Sequence, residues 1–221
     1  MKKLKRIITV AIDSPAAAGA GTQAKLIAKN YNLLYLDTGK IYRLIGRLKL
    51  QNPKKFNYKL IKKKIKNLKI KDLENKNLLT DNVAVSASII ARDKKIRKIV
   101  HNFQTYCAYN PPKKYNGSVL DGRDITSVIM KDAMFKFYIT ANVRTRAMRR
   151  YKEYKQYKQL NKKISYDEVL KNIKKRDKSD TKRKFGKLKK TKDSTLLNTS
   201  NISISACFKK IKQIMDRKIR A

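Results

Sequence analysis

Tryptophan is absent from this chain, histidine occurs once, cysteine twice, and 16 acidic residues face 57 lysines and arginines. The scarcity of imidazole and thiol excludes whole classes of site. His101 has no histidine or cysteine at zinc-ligand spacing, nothing else resembles a zinc site, and it reads as a packing or solvated residue. Cys107 and Cys207 stand far apart in apolar, helical-looking settings and read as reduced core thiols of a cytoplasmic protein. Long apolar runs are lacking too. The basic start, Met1 to Arg6, leads into a short apolar stretch that ends at Asp13. That pattern is neither a signal peptide nor a membrane span, so no membrane partner is expected.

What is present is charge. The formal net charge is +41 on 221 residues. Counterion release on nucleic acid would exploit it. The lysines are spread over the whole chain, however, which reads as compositional bias on tolerant surface positions. No specific nucleic-acid partner is therefore expected. A positive cleft still concentrates small anionic substrates such as nucleotides. The length suits one globular domain with small insertions, expected as a monomer.

The richest local signal is a strand, Ile7 to Ile12, that runs into Asp13-Ser14-Pro15-Ala16-Ala17-Ala18-Gly19-Ala20-Gly21-Thr22 and then into a helix with Ala24, Leu26, Ile27 and Ala28. Strand, loop of small residues and helix wrap backbone amides around a phosphate. The phosphate-loop pattern is damaged here. Ser14 stands at its first glycine, Gly19 keeps the second, and Ala20 replaces the lysine. The cradle is expected without its mobile cation.

Further apolar runs at Leu33–Leu36, Ser118–Leu120, Phe135–Ile139 and Leu196–Leu197 alternate with helical periodicity. They predict an α/β fold, a parallel sheet with helices on both faces and ligands at the strands' carboxyl ends. Helices are expected over Gly21–Asn30, Ile41–Leu50, Tyr58–Asn67, Lys94–Tyr109, Val143–Gln159, Ser165–Lys175 and Ser203–Arg217. Leu68 to Val85 alternates more like short strands. Thr181 to Ser194 is polar, lysine-rich and contains Gly186, as a mobile lid or a solvated loop would be.

Three more clusters follow in order: Leu36-Asp37-Thr38-Gly39-Lys40-Ile41-Tyr42-Arg43, then Asp121-Gly122-Arg123-Asp124, then Arg176-Asp177-Lys178-Ser179-Asp180-Thr181-Lys182-Arg183. With the first loop they resemble the bacterial cytidylate kinases of the nucleoside-monophosphate kinase family, over nearly the whole chain. The resemblance implies a three-layer P-loop fold and transfer of a phosphoryl group from ATP to CMP or dCMP with Mg²⁺. It implies a kinase core over 5–58 and 86–215, an abridged monophosphate-binding insert over 59–85, and a lid over 176–194. Ser14, Pro15, Ala16, Ala17, Ala18, Gly19, Ala20, Gly21 and Thr22 would hold ATP. Thr38, Tyr42, Arg43, Ser88, Arg97, Arg123, Asp124, Arg176, Asp180 and Arg183 would hold CMP. Arg123, Arg176 and Arg183 would also be catalytic. Asp124 and Asp180 would accept from sugar hydroxyls or orient arginines.

Each residue has a plainer structural alternative. Thr38 and Ser88 suit helix caps, and Asp124 suits a turn. The chain also departs from the family pattern beyond Ala20. Ser14 and Ala17 replace glycines, Thr105 stands where arginine is common, and Asn198 where aspartate is. Gly21 occupies the usual magnesium hydroxyl position, with Thr22 next. A surrogate for the lysine is expected from Lys178 to Lys184 or from Arg144, Arg146, Arg149 and Arg150. Without one, the chain would be a non-catalytic nucleotide- or RNA-binding protein on a kinase scaffold. A sister kinase for AMP or UMP is a further alternative.

Overall fold

The computed structural model describes residues 7–156 and 165–220. Five strands, β1 (Ile8–Asp13), β2 (Leu34–Asp37), β3 (Gly117–Gly122), β4 (Phe135–Thr140) and β5 (Thr195–Asn198), form one parallel sheet ordered β2-β3-β1-β4-β5. β1 is central because its residues are apolar on both faces, and successive side chains point to opposite sides. Ala11 joins a core with β2 and β3 residues such as Leu36 and Leu120. Val10 and Ile12 join another with Ala24, Ile27, Phe137 and Ile211.

The second core packs under α1 (Ala20–Tyr31) and α8 (Ile204–Arg220). The first packs under α2 (Thr38–Gln51), α3 (Tyr58–Lys66), α4 (Asp81–Ile90) and α5 (Lys94–Tyr109). A third, smaller cluster of Ala147, Val169 and Ile173 joins α6 (Val143–Gln156) to α7 (Tyr166–Lys182). Helices thus cover both faces of a parallel sheet, as the apolar runs predict. Cys107 and Cys207 are buried free thiols in separate cores.

Two stretches differ from expectation. Leu68 to Val85 is not strand. It forms single 3₁₀ turns at Ile70–Glu74 and Lys76–Leu79 and then enters α4. The apolar residues recur every five positions, at Leu68, Leu73, Leu78 and Val83, and all four are buried. Each turn sends one side chain inward while Asp72 and Asn75 cap the freed amides of Lys69 and Asn77. This packing joins Ile61, Leu68, Leu73 and Leu78 to the core beneath β2 and β3.

Helix α7 also runs past Lys175 to Lys182. Ser165 caps it by accepting from Glu168 N at 3.2 Å, as S-x-x-E spacing leads one to expect. No glycine or proline interrupts the charged run, so the helix continues. The Arg176 to Lys182 stretch therefore projects from a helix and not from a loop. Segment 183–194 beyond it turns at Gly186 (φ 61°) and is pinned where buried Leu188 donates its amide to Asp180 O at 2.8 Å. For α6, the expected extension over 157–159 lies outside the described residues.

Candidate active site

β1 ends at Asp13, buried, whose carboxylate accepts from Ile125 N at 2.7 Å, Thr126 N at 2.9 Å and Thr126 Oγ1 at 2.6 Å. Burial raises its pKa to about 6 against the pull of those donors. The bonds fasten the turn after β3 beside the loop after β1. That loop passes through Ala17 in the left-handed region (φ 59°) and Gly19 at φ 92° before α1 begins. A side chain there costs roughly 1–2 kcal/mol. The strain sits where the backbone must curl to aim its amides at one point.

A cleft of about 390 Å³ opens above the carboxyl ends of β1, β2 and β3. The whole loop from Ser14 to Thr22 lines it. So do Thr38, Tyr42 and Arg43 of α2, Ser88 of α4, Arg97 of α5, Arg123 and Asp124 after β3, and Arg176, Asp180 and Arg183 from α7 and its cap. Residues scattered over 170 positions of sequence meet in one place because parallel strands put every following turn on the same edge. Lys25, Tyr35, Asp37, Lys40, Asp121, Arg150 and Glu153 line it as well. Sequence reasoning missed these as site residues except Arg150, which it offered as a surrogate for the lysine. For Lys25 the signal was available: it stands four residues after Gly21, on the same helical face.

Two buried carboxylates organise the arginines. Asp180 Oδ2 accepts from Arg123 Nε at 2.7 Å and lies 3.9 Å from Arg176 Nε, while its Oδ1 is 3.4 Å from Arg183 Nη1. Burial alone would raise the Asp180 pKa, but Arg123, Arg176 and Arg183 together hold it below the usual carboxylate range. Asp124 pairs with Arg97, whose guanidinium also lies 5.5 Å from the Tyr42 ring centroid. Arg183 Nε donates to Gly186 O at 2.6 Å, and Arg43 Nη1 to Leu78 O at 2.8 Å. Burial and the neighbouring Arg123 lower the Arg176 pKa to about 10, so it stays charged at neutral pH. Four guanidinium groups, those of Arg97, Arg123, Arg176 and Arg183, share two carboxylates, and Arg43 adds a fifth to the cleft. The surplus positive charge faces the phosphate loop.

The plainer roles resolve differently from one residue to the next. Thr38 is not the cap of α2, since Asp37 caps it by accepting from Lys40 N at 3.3 Å. Thr38 Oγ1 instead donates to Asp121 O at 2.8 Å and ties α2 to β3. Ser88 is not a cap either, and its hydroxyl donates to Val85 O at 2.8 Å within α4. Asp124 and Asp180 hold arginines.

The expected surrogates for the missing lysine are mostly committed elsewhere. Arg146 is buried, bidentate to Asp177 at 2.7 and 3.1 Å, and donates to Ala16 O at 3.2 Å. It buttresses the loop from behind. Arg149 donates to Thr199 Oγ1 at 2.9 Å and Thr199 O at 2.5 Å. Arg144 is exposed and outside the cleft. Arg150 lines the cleft but pairs with Glu153 at 2.8 Å. Of the cations from Lys178 to Lys184, Arg183 alone reaches the cleft.

Among the described residues no group of three or more His, Cys, Asp or Glu could hold a metal. Asp37 and Asp121 nevertheless stand side by side at the ends of β2 and β3, in matched register. Burial and the nearby Asp37 charge push the Asp121 carboxyl up to about 8. Its Oδ1 is buried with no hydrogen-bond partner.

Comparison with known proteins agrees with this geometry. The cytidylate kinase family model matches residues 10–217. A cytidylate kinase of Clostridium botulinum (strain Langeland / NCTC 10281 / Type F) is 38% identical over 223 residues, covering 95% of this chain and 98% of its own. One of Bartonella tribocorum (strain CIP 105476 / IBS 506) is 42% identical over 204 residues, covering 90% of each. The solved structure of an uncharacterized protein from Eubacterium ventriosum ATCC 27560 shares the fold, with TM-score 0.56 over 95% of this chain and 98% of that one at 16% identity.

Proposed function

The chain belongs to the cytidylate kinase family, and we propose that it transfers the γ-phosphoryl group of ATP to CMP or dCMP, giving ADP and CDP or dCDP. The observation that carries this reading is the arginine cluster held by Asp124 and Asp180 opposite the loop of Ser14 to Thr22. Phosphoryl transfer needs two phosphates in line and their charge spread over fixed cations. Arginine suits that work because its planar fork grips phosphate oxygens in pairs.

In this reading the loop amides cradle the donor's phosphates, and α1 presents its N-terminus to them. Arg43 and Arg176 grip the acceptor phosphate. Arg123 and Arg183, fixed by Asp180, face the phosphoryl group as its charge redistributes. Tyr42, stacked near Arg97, offers an aromatic edge to the pyrimidine, and Ser88 lines the same cleft. The residues present fit Mg²⁺, which favours hard oxygen donors and takes one or two carboxylates plus substrate phosphates. Asp121, with its orphaned Oδ1, and Asp37 would hold it beside Thr22. When bound, the ion neutralises phosphate charge. The free buried thiols suit a reducing, cytoplasmic setting. Small nucleotides, not specific nucleic acid, are the partners proposed for a monomeric chain. No helix among the described residues is long and apolar enough to cross a membrane.

Ala20 is the observation that favours a second reading, a scaffold that binds nucleotides without turning them over. Initial rates of ADP release with each monophosphate in turn separate the two. CMP and dCMP should lead AMP and GMP by at least about 100-fold in kcat/KM, as pockets built on specific hydrogen bonds allow. Equal rates for AMP and CMP would sink the cytidylate assignment. ATP binding with no release for any acceptor would favour the scaffold.

A further inference from the structure

We propose that Lys25 supplies the phosphate-binding ammonium that the loop lacks at Ala20. The inference rests on the phosphoryl-transfer reading above and names the residue that completes the donor site. Lys25 stands on α1, the helix whose N-terminus closes the loop, four residues beyond Gly21. Side chains on a helix lean toward its N-terminus, so a residue at i+4 covers the turn that precedes it. That turn is Gly21 and Ala20. A lysine's four-carbon stem spans about one helical turn, ~5.4 Å, which brings the ammonium level with the loop.

The surroundings of that turn are polar and close. A Cβ at Gly21 would stand 3.4 Å from Tyr35 Oη and 3.7 Å from Asp121 Oδ2. Those are contact distances, so glycine there lets the ends of β2 and β3 close up against the first turn of α1. Ala20 adds only a methyl group on the turn beside it. Lys25 lines the cleft together with both residues, and its charge acts on Asp121. Among the described residues its ammonium makes no hydrogen bond or salt bridge, whereas Arg150 and Arg183 are tied to Glu153 and Asp180. A mobile lysine that can follow a phosphate oxygen is the element the loop is missing. Lys40 also faces the cleft, but it stands on α2, the element that carries Thr38, Tyr42 and Arg43.

The test uses the full chain and reads ATP affinity by calorimetry without Mg²⁺, then kcat and the KM for CMP. Lys25→Met should weaken ATP binding roughly 10- to 100-fold, the loss of one charge-assisted contact. It should lower kcat by at least about 10²-fold while the KM for CMP stays within about twofold. Lys25→Arg should keep most of the ATP affinity, and Lys29→Met, one turn farther from the loop, should match the parent. In the double variant, Ala20→Lys with Lys25→Met should recover both ATP affinity and kcat. Melting of Lys25→Met and Lys25→Arg should match the parent, because Lys25 is exposed. Unchanged ATP affinity in Lys25→Met, a loss that Ala20→Lys fails to restore, or a larger loss in Lys40→Met would overturn the proposal. A parent that binds ATP but phosphorylates no monophosphate refutes the kinase reading, while the ATP affinities still decide the role of Lys25.

Discussion

Replacing Arg123 with Ala is expected to lower turnover with CMP by about 10³-fold or more, the scale on which an arginine at a transferring phosphoryl group acts. Arg123 follows β3 directly, and its Nε is locked on Asp180 at 2.7 Å while Nη1 donates to Gly122 O at 3.2 Å. Those two bonds leave the outer edge of the guanidinium aimed into the cleft. Asp180 keeps Arg176 and Arg183 when Arg123 is removed, so the fold should survive. Arg123→Lys should recover only part of the rate, since an ammonium cannot donate to Asp180 and to a phosphate in one plane. Lys152→Ala, an exposed charge on α6, is the matched control and should change turnover by less than twofold, as surface substitutions ordinarily do. Equal effects of Arg123→Ala and Lys152→Ala would show that Arg123 is one more basic residue in a basic chain.

Asp180→Ala should damage stability and catalysis together. Its buried carboxylate is the shared counter-ion of Arg123, Arg176 and Arg183. Without it three guanidinium groups repel one another at close range. Removing one partner of a buried ionic group costs about 3–5 kcal/mol, which a shift in the urea unfolding midpoint will register. Turnover should fall by about 10²-fold or more, because the arginines lose the geometry that preorganises them. An anion can take the carboxylate's place. CMP or inorganic phosphate should therefore stabilise the variant more than the parent against urea. No added stabilisation would mean that the cluster does not receive a phosphate.

Much of this architecture could be read directly from the chain. All five strands fall within a few residues of their apolar runs, and in the central ones this is because strands covered on both faces carry uninterrupted apolar sequence. The parallel sheet then places the turns after β1, β2 and β3 on one rim, and the arginine motifs with them. Leu68 to Val85 reads as strand in sequence because five-residue spacing through 3₁₀ turns matches neither strand nor helix periodicity. The end of α7 was missed because a run of charged residues carries no stop signal until Arg183.

Pairing was the least legible feature. Arg146 and Arg149 look like candidate phosphate ligands in sequence, yet Asp177, Ala16 O and Thr199 claim them. With 57 lysines and arginines against 16 acidic residues, sequence alone cannot say which cations have counter-ions. Lys25 has a positional signal, four residues after Gly21, but nothing in the sequence says whether a counter-ion claims it. It is one lysine among many until the fold places it on the cleft with no hydrogen bond or salt bridge of its own among the described residues.

The most direct test of the central claim is the appearance of CDP itself. Purified protein with ATP, Mg²⁺ and CMP should form CDP and ADP in equal amounts, followed by ³¹P NMR as the β-phosphate signals of both products grow together. Hydrolysis of ATP without CDP, or bound nucleotide that never turns over, would contradict it.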